Sequence, residues 1–294
     1  MPNPRLRFVS LAFFASIVLA LACSTISGES QPTATPTIAA TRTPTPTRVP
    51  PTPSPTPSPT PTPTPVPQID PGQSIVVGGE VRTRAEPTTQ SEVRGTLENL
   101  QTVRVEAVVK GENWLVGAQN WVTTSPAWAS EWYRLTDGSY VYGAFIFQLG
   151  DREISPVERT AGQEKWIDVD ISEQVARAMV GERAVYTAKV STGASPFDTP
   201  QGSFAIEADG RVSVERMTAT QAGYEPGQAQ YDVERVLFTQ YFDRSGDAVH
   251  LNYWRPSSVF GRTRTSHGCV AMEMHDAQYF WLFAGPGTRV EIHP

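Results

Sequence analysis

The sequence is poor in the residues that mark several common classes of protein. It has two cysteines in 294 residues, Cys23 and Cys269, and this scarcity excludes a disulfide-stapled scaffold and a cysteine-rich zinc site. Acidic residues outnumber basic ones by 30 to 24, and the formal charge of −6 excludes a basic footprint for nucleic acid. Beyond the N-terminus no apolar run reaches the roughly 18 residues of a membrane-spanning helix, which excludes a polytopic membrane protein. No spacing of His, Cys, Asp and Glu indicates a metal site, and no cofactor is predicted.

Residues 1–22 have the pattern of a secretory signal peptide. Arg5 and Arg7 precede a mostly apolar stretch, 8–22, which ends in small residues directly before Cys23. As a helix this stretch would span only about 22 Å, less than a hydrocarbon core of about 30 Å, so it does not suit a transmembrane anchor. Ala20-Leu21-Ala22-Cys23 resembles the lipobox of bacterial lipoproteins. That resemblance implies a lipid on Cys23 and an extracytoplasmic, membrane-anchored protein, with plain secretion as the alternative.

Proline is concentrated in one tract. Residues 32–67 hold 14 of the 26 prolines together with 12 threonines. Proline fixes φ and has no N–H to donate, so the tract favours extended polyproline II with a reach of about 110 Å. We predict that residues 23–69 form a tether that holds the folded part of the chain away from the membrane.

Short β-prone runs separated by turn residues fill positions 70–149. The runs are 74–77, 79–84, 93–97, 102–109, 114–117, 132–135 and 140–147. Short strands with close turns are typical of a small β-barrel. The segments 81–87, 93–97 and 111–114 resemble bacterial SH3-like domains, with 118–131 as an insertion. The resemblance implies an SH3-like domain over 70–149 that binds a cell-wall peptide or acts as a spacer, followed by a linker at 150–163.

The pattern stays mainly β from residue 164 to the end. Strands are predicted at 165–170, 184–190, 202–207, 233–242, 248–253 and 290–292, and 172–181 is interpreted as a strand, a turn and a strand. A helix is predicted at 274–284, because its apolar positions have helical spacing and Gly285-Pro286 ends it. The acidic turns at 207–209 and 243–247 are interpreted as solvated loops rather than a cation site.

Cys269 is the most informative residue. An unpaired thiol in a secreted protein indicates either a reactive group or a small buried hydrophobe. Ser266-His267-Gly268 directly precede it, and His250 follows an apolar strand, so two of only four histidines accompany this thiol. Because a thiol needs a base or a positive neighbour to react near neutral pH, this grouping favours a nucleophile.

His250 followed by Ser266-His267-Gly268-Cys269-Val270 resembles the signature of the L,D-transpeptidases with a YkuD-type catalytic domain. The segments 190–193 and 199–204 also resemble that family, the second as its Thr-Pro-x-Gly-x-Phe turn. The resemblance covers 164–294. It implies an all-β chain in which an SH3-like barrel precedes a β-sandwich catalytic domain with one or two short helices.

The resemblance also implies roles for individual residues. Cys269 attacks a peptidoglycan stem peptide, releases D-Ala and passes the acyl group to the amine of an acceptor stem, and carbapenem-type inhibitors would acylate it. His250 is the general base or thiolate partner, held by a backbone carbonyl. Backbone N–H groups around His267, Gly268 and Cys269 form an oxyanion hole, while Ser266 holds the loop.

Met217, Tyr253 and Trp254 match positions that line the family's substrate groove, with ordinary core packing as the alternative. Ala271 stands where the family commonly has Asn or Arg, which favours altered specificity or reduced activity. Leu251 stands where a small residue is usual, and a main-chain contact would survive that change. The alternatives are a wall-binding lipoprotein without activity, an L,D-carboxypeptidase, and an acyltransferase that anchors other proteins to the wall.

Overall fold

The β-prone patterns correspond to strands, which are the main regular secondary structure of the described residues. The computed structural model describes residues 72–115, 125–157, 160, 162–220, 224–227 and 232–294. The predicted signal peptide, Cys23 and the Pro/Thr tether lie outside the described residues, as do positions 118–124 of the predicted insertion. All described residues belong to one compact unit. They contain no helix of the length and apolarity that a membrane crossing requires.

The N-terminal region, residues 72–149, consists of two small sheets that share one core. Its strands are β1 (Ser74–Val76), β2 (Val81–Arg84), β3 (Val93–Leu97), β4 (Thr102–Val103), β5 (Val105–Lys110), β6 (Glu131–Leu135), β7 (Tyr140–Tyr142) and β8 (Ile146–Gln148). They form a five-stranded sheet in the order β3-β2-β7-β6-β5 and a three-stranded sheet in the order β4-β1-β8. Trp132, Val141 and Phe147 are buried members of this core.

Three of the strand predictions in this region differ from the structure, and one of them, 102–109, is divided between β4 and β5 of different sheets. Trp114 and Leu115 lie in a turn, not in a strand, and the Trp114 ring packs edge-on against Tyr142, with the ring centroids 5.6 Å apart. The predicted strand at 140–147 is interrupted by a 3-10 turn at Gly143–Phe145. This turn lets Phe145 contact Phe238 of the C-terminal region, with the ring centroids 6.2 Å apart.

The C-terminal region, residues 164–294, contains one nine-stranded sheet and a helix. Its elements are β9 (Lys165–Asp170), β10 (Val175–Val180), β11 (Arg183–Ser191), β12 (Gly202–Ala205), β13 (Arg211–Thr218), β14 (Asp232–Tyr241), β15 (Ala248–Leu251), β16 (Val270–Met272), α1 (Met274–Phe283) and β17 (Arg289–His293). The strand order is β12-β17-β9-β10-β11-β16-β15-β14-β13. Two neighbouring pairs are parallel, β15 with β16 and β17 with β9, and the other pairs are antiparallel.

The strand–turn–strand interpretation of 172–181 is wrong, since this segment contains a turn followed by the single strand β10. Asp170 sets the position of the turn, because its carboxylate accepts hydrogen bonds from Ser172 Oγ (2.9 Å) and Glu173 N (2.8 Å). Gln174 ends the turn with a φ of 55°. The strands β13 and β16 were not predicted from periodicity.

Helix α1 joins the two regions. Gln278 Nε2 donates hydrogen bonds to Ala144 O (2.8 Å) and Ile146 O (3.1 Å), and the Gln278 side chain is buried. Tyr279 OH donates to Ile154 O at 2.7 Å. The N-terminal region is therefore docked on the helix that directly follows β16.

Candidate active site

The parallel pair β15–β16 brings His250 and Cys269 to the same part of the sheet. Val249 on β15 pairs with Val270 on β16, so the residue directly before β16 lies beside the strand that carries His250. Both side chains line one pocket, and its other lining residues are Met217, Tyr241, Gly246, Asn252, Trp254, Arg255, Thr265, Ser266 and His267. Most of the site residues predicted from the sequence for this domain therefore line this pocket. The exceptions are Gly268, which lies in the adjoining backbone, and Tyr253. Tyr253 is buried, and its hydroxyl donates to Glu234 O at 2.6 Å, so it packs in the core.

The tautomer of His250 follows from its contacts. Its Nδ1 lies 2.8 Å from Leu251 O, and because a carbonyl oxygen only accepts, Nδ1 carries the proton and Nε2 keeps its lone pair. The ring stacks on Trp254, with centroids 5.8 Å apart and an interplanar angle of 12°. Burial lowers the pKa of His250 to about 4, so the imidazole is neutral at pH 7.

Cys269 is a free thiol held in its protonated form. Burial, and to a smaller extent charge repulsion from the nearby Asp247 carboxylate, raises the pKa of the Cys269 thiol to about 12. Its Sγ lies 3.9 Å from Gly246 O, a distance at which a thiol makes a weak contact with a carbonyl. Without a substrate the pocket therefore contains a neutral thiol and a neutral imidazole, not an ion pair.

Hydrogen bonds from neighbouring side chains fix the backbone of the loop that carries the thiol. Ser266 Oγ donates to Cys269 O at 2.5 Å. Thr199 Oγ1 donates to Gly268 O at 2.7 Å and accepts from Gly193 N at 2.7 Å. Because a carbonyl and the following N–H share one peptide plane, these bonds also orient the N–H groups of Cys269 and Val270.

Gly268 is required by its conformation and by its surroundings. Its φ is +116°, a region that side chains disfavour. A Cβ at this position would lie 2.0 Å from Asp247 Oδ1, so the carboxylate of Asp247 packs directly against the loop.

Asp247 and Arg255 were not identified as site residues from the sequence. Asp247 belongs to the turn interpreted as a solvated loop, yet burial raises its pKa to about 6, and Ser245 Oγ donates to its Oδ2 at 3.2 Å. Its position three residues before His250, at the edge of β15, was the available signal. Arg255 directly follows Trp254 and was overlooked because isolated surface arginines are common.

His267 lines the pocket and contacts an aromatic cluster. Its Nε2 lies 2.9 Å from the hydroxyl of Tyr224, and its ring centroid is 5.0 Å from that of Phe197. Burial, together with the positive charge of Arg255, lowers the pKa of His267. Its contribution to the thiol loop is therefore through its backbone and its packing.

Ala271, the departure from the family pattern, lies inside the sheet. It pairs with Ser191 on one side and with His250 on the other, and it is fully buried. The described residues hold no group of three or more His, Cys, Asp and Glu side chains that could bind a metal ion.

Comparison with family models matches residues 164–292 to YkuD, the L,D-transpeptidase catalytic domain. Comparison with curated proteins returns no match. Similar solved structures include L,D-transpeptidase LdtMt1 in complex with imipenem, at 15% identity over 74% of this chain and 78% of that chain, with a TM-score of 0.41. An L,D-transpeptidase from Mycobacterium smegmatis has 15% identity over 73% of this chain and 77% of that chain, with a TM-score of 0.39. L,D-transpeptidase 3 from Mycobacterium tuberculosis, in complex with a faropenem-derived adduct, has 13% identity over 74% of this chain and 78% of that chain, with a TM-score of 0.40.

Proposed function

We propose that this chain, whose residues 164–292 match the YkuD L,D-transpeptidase catalytic domain, cross-links peptidoglycan stem peptides through a thioester on Cys269. The observation that carries the proposal is the pairing of a free thiol with an imidazole whose Nδ1 donates to Leu251 O, both in one pocket. That arrangement leaves Nε2 of His250 available as a base.

In the acylation step Cys269 Sγ attacks the carbonyl carbon between an L-centre and a terminal D-Ala, and His250 Nε2 takes the thiol proton. A base is needed because burial holds the thiol pKa at about 12, which leaves almost no thiolate at pH 7. The tetrahedral intermediate collapses with cleavage of the C–N bond, and the proton passes from His250 to the departing amine of D-Ala. The product is a thioester and free D-Ala.

The developing oxyanion is expected to accept hydrogen bonds from backbone N–H groups of residues 267–269. The bond from Thr199 Oγ1 to Gly268 O supports this assignment, because it holds the peptide plane that carries the N–H of Cys269. Loss of one such donor typically costs about 3 kcal/mol of transition-state stabilisation.

In the second step the amine of another stem attacks the thioester carbonyl. The new C–N bond forms, the C–S bond breaks, and the amine proton returns to the thiol through His250. Water in place of the amine would make the protein an L,D-carboxypeptidase, and an amine on another protein would make it an anchoring acyltransferase.

We further propose that the protein works outside the cytoplasmic membrane. The pattern of residues 1–22, the lipobox-like Cys23 and the Pro/Thr tract at 32–67 support a lipid anchor with a long tether. The resemblance of residues 70–149 to SH3-like domains supports a peptide-binding or spacer role for the N-terminal region.

Acylation by a carbapenem tests the proposal directly. The folded wild-type protein is expected to gain the mass of one carbapenem molecule, and Cys269→Ala is expected to gain none, because the thiol is the acylated atom. His250→Gln should slow formation of the adduct by roughly 100-fold or more, the usual contribution of a general base to the rate. Intact-protein mass spectrometry measures all three, with circular dichroism as a check that each variant folds.

Absence of an adduct on folded wild-type protein would contradict the proposal. Incubation with a disaccharide tetrapeptide then identifies the acceptor, since a cross-linked dimer and a hydrolysed tripeptide differ in mass. A wall-binding protein without activity would yield neither product and would bind the wall equally well as Cys269→Ala.

A further inference from the structure

The candidate active-site pocket has one permanent charge in its lining. Of the eleven described residues that line it, Arg255 alone is always ionised, and none is Asp or Glu. The two histidines in the lining are neutral at pH 7, because the pKa of His250 is lowered to about 4 and that of His267 is also lowered. A ligand in this pocket therefore meets lining side chains of which Arg255 carries a positive charge and the others are neutral.

Among the described residues, Arg255 is bonded through its backbone, with no hydrogen bond or ion pair from its guanidinium. Its N–H donates to Asn252 Oδ1 at 3.1 Å, and Asn252 is buried with its own N–H bonded to Met272 O at 2.8 Å. The Arg255 side chain is exposed, and within the described part of the chain no carboxylate lies within the 4.0 Å of an ion pair.

A nearby arginine shows the contrasting arrangement. Arg264, also exposed, uses its guanidinium for contacts within the chain, where Nε donates to Gly193 O at 2.7 Å and Nη2 pairs with Asp198 Oδ1 at 2.5 Å. Arg264 thus fastens the loop, while Arg255 presents its donors to the pocket. The positive charge of Arg255 also reaches the nucleophile loop, since it contributes to the lowered pKa of His267, two residues before Cys269.

A guanidinium pairs best with a planar anion such as a carboxylate, to which it donates two parallel hydrogen bonds. If the chain acts on stem peptides as proposed above, the donor substrate brings a carboxylate on the residue that leaves and, in some stems, another on the side chain of the preceding residue. We propose that Arg255 is a specificity-determining residue that binds the carboxylate of the leaving residue of the donor stem, directly beside the scissile bond. It thereby orients the donor so that the scissile carbonyl faces Cys269.

The inference is tested with the full chain and three synthetic tetrapeptide donors. The first donor has its free C-terminal carboxylate, the second has a C-terminal amide, and the third has an amidated side-chain carboxylate on the residue before the scissile bond. The wild-type protein is expected to acylate the first donor with a KM about 10- to 100-fold below that of the second, the range of one charge-assisted hydrogen-bonded pair.

The variant Arg255→Gln is expected to lose this difference by a rise in KM for the first donor, with little change for the second. Arg255→Lys should recover part of it, because the charge stays but the two-pronged geometry is lost. Arg262→Gln is the matched control, since Arg262 is an exposed arginine of the same loop that does not line the pocket, and it should behave as wild type. If amidation of the side chain raises KM and the C-terminal amide does not, the assignment to the leaving residue is overturned.

The two levels of the proposal fail differently. A wild-type protein that acylates all three donors, with a preference that Arg255→Gln keeps unchanged, overturns the role of Arg255 and leaves the transpeptidase activity intact. A wild-type protein that forms no thioester with any donor or with a carbapenem overturns both.

Discussion

His250 and Cys269 owe their charge states to the same cause. Both line one pocket, with His250 buried and Cys269 half-buried, and desolvation disfavours the charged form of each, so the imidazolium and the thiolate are both suppressed. Asp247 also raises the pKa of Cys269, because its carboxylate lies against the loop that carries the thiol. The reactive pair is thus prepared for a proton transfer that occurs during attack, and a thiol kept protonated is less open to oxidation beforehand.

The lowered pKa of His250 predicts a pH dependence of stability. The native pKa is about 4 and the unfolded value is about 6.5, so between these values the unfolded state binds the proton and the native state does not. The stabilisation is fully present above pH 6.5 and is lost as the pH falls toward 4, by about 3 kcal/mol. Urea unfolding at pH 7 and pH 4 measures it.

His250→Gln is the comparison for that measurement, because the variant lacks the titrating group. It should lose less stability than wild type between pH 7 and pH 4. Comparing the variants is necessary because Asp247 and Asp276 have pKa values raised to about 6 and act in the opposite direction. Equal losses of stability in both proteins would show that the pKa of His250 is not lowered in the native state.

Among the elements, the segment 198–201, which leads into β12, matters most for the site. Thr199 lies in this segment, far in sequence from Cys269, and is almost completely buried. Its hydroxyl joins Gly193 N, after β11, to Gly268 O, before β16, so it ties two segments around the nucleophile. Through Thr199, the segment 198–201 therefore stabilises the backbone on both sides of the nucleophile.

Thr199→Val is expected to keep the shape of the residue and remove that link. A buried N–H and a buried carbonyl would lose their partner, at a cost of about 1–3 kcal/mol in the free energy of unfolding. The acylation rate should fall by about 10- to 100-fold, because the N–H of Cys269 would be less well oriented. Chemical denaturation and carbapenem acylation kinetics measure the two effects. Thr199→Ser keeps the hydroxyl and should therefore retain most of the stability and most of the acylation rate. Normal acylation kinetics in the Thr199→Val protein would argue against this role of Thr199.

At the scale of the whole molecule, the N-terminal region and the C-terminal region are docked through apolar and hydrogen-bonded contacts. Phe145 packs on Phe238 of β14, and the Arg235 guanidinium lies 4.9 Å from the centre of the Trp114 ring. Arg235 and Phe238 both have positive φ values, 59° and 60°, in a strand that also borders β15. The docking surface is therefore formed partly by the strand next to the one that carries His250.

Gln278→Ala tests whether the two regions fold together. The variant would leave the carbonyls of Ala144 and Ile146 without this buried donor, which should lower stability by about 1–3 kcal/mol. We expect amide hydrogen exchange to quicken in both regions, since each stabilises the other. Gln90→Ala, at an exposed position of the N-terminal region, is the control and should leave exchange unchanged. Faster exchange confined to 72–149 would mean that the C-terminal region is stable alone.

Much of the fold follows from local patterns. The strands at 165–170 and 93–97 and the helix at 274–284 agree with the structure to within a residue, because alternation and helical spacing report directly on which face is buried. Strand β13 was missed because charged residues interrupt its alternation, and β16 because three residues are too few to show a period. The segment 172–181 was misassigned because a side chain, Asp170, sets the turn.

The candidate active site was also predicted only in part from the sequence. Cys269, His250 and Ser266 were identified from the sequence, since a lone thiol with histidines and a glycine nearby is chemically distinctive before any folding is considered. The tautomer of His250, the link from Thr199 and the contacts of Asp247 and Arg255 depend on residues far apart in the chain. Burial and distance arise only when strands from remote segments pair, and these two quantities set the pKa values and the charge of the pocket.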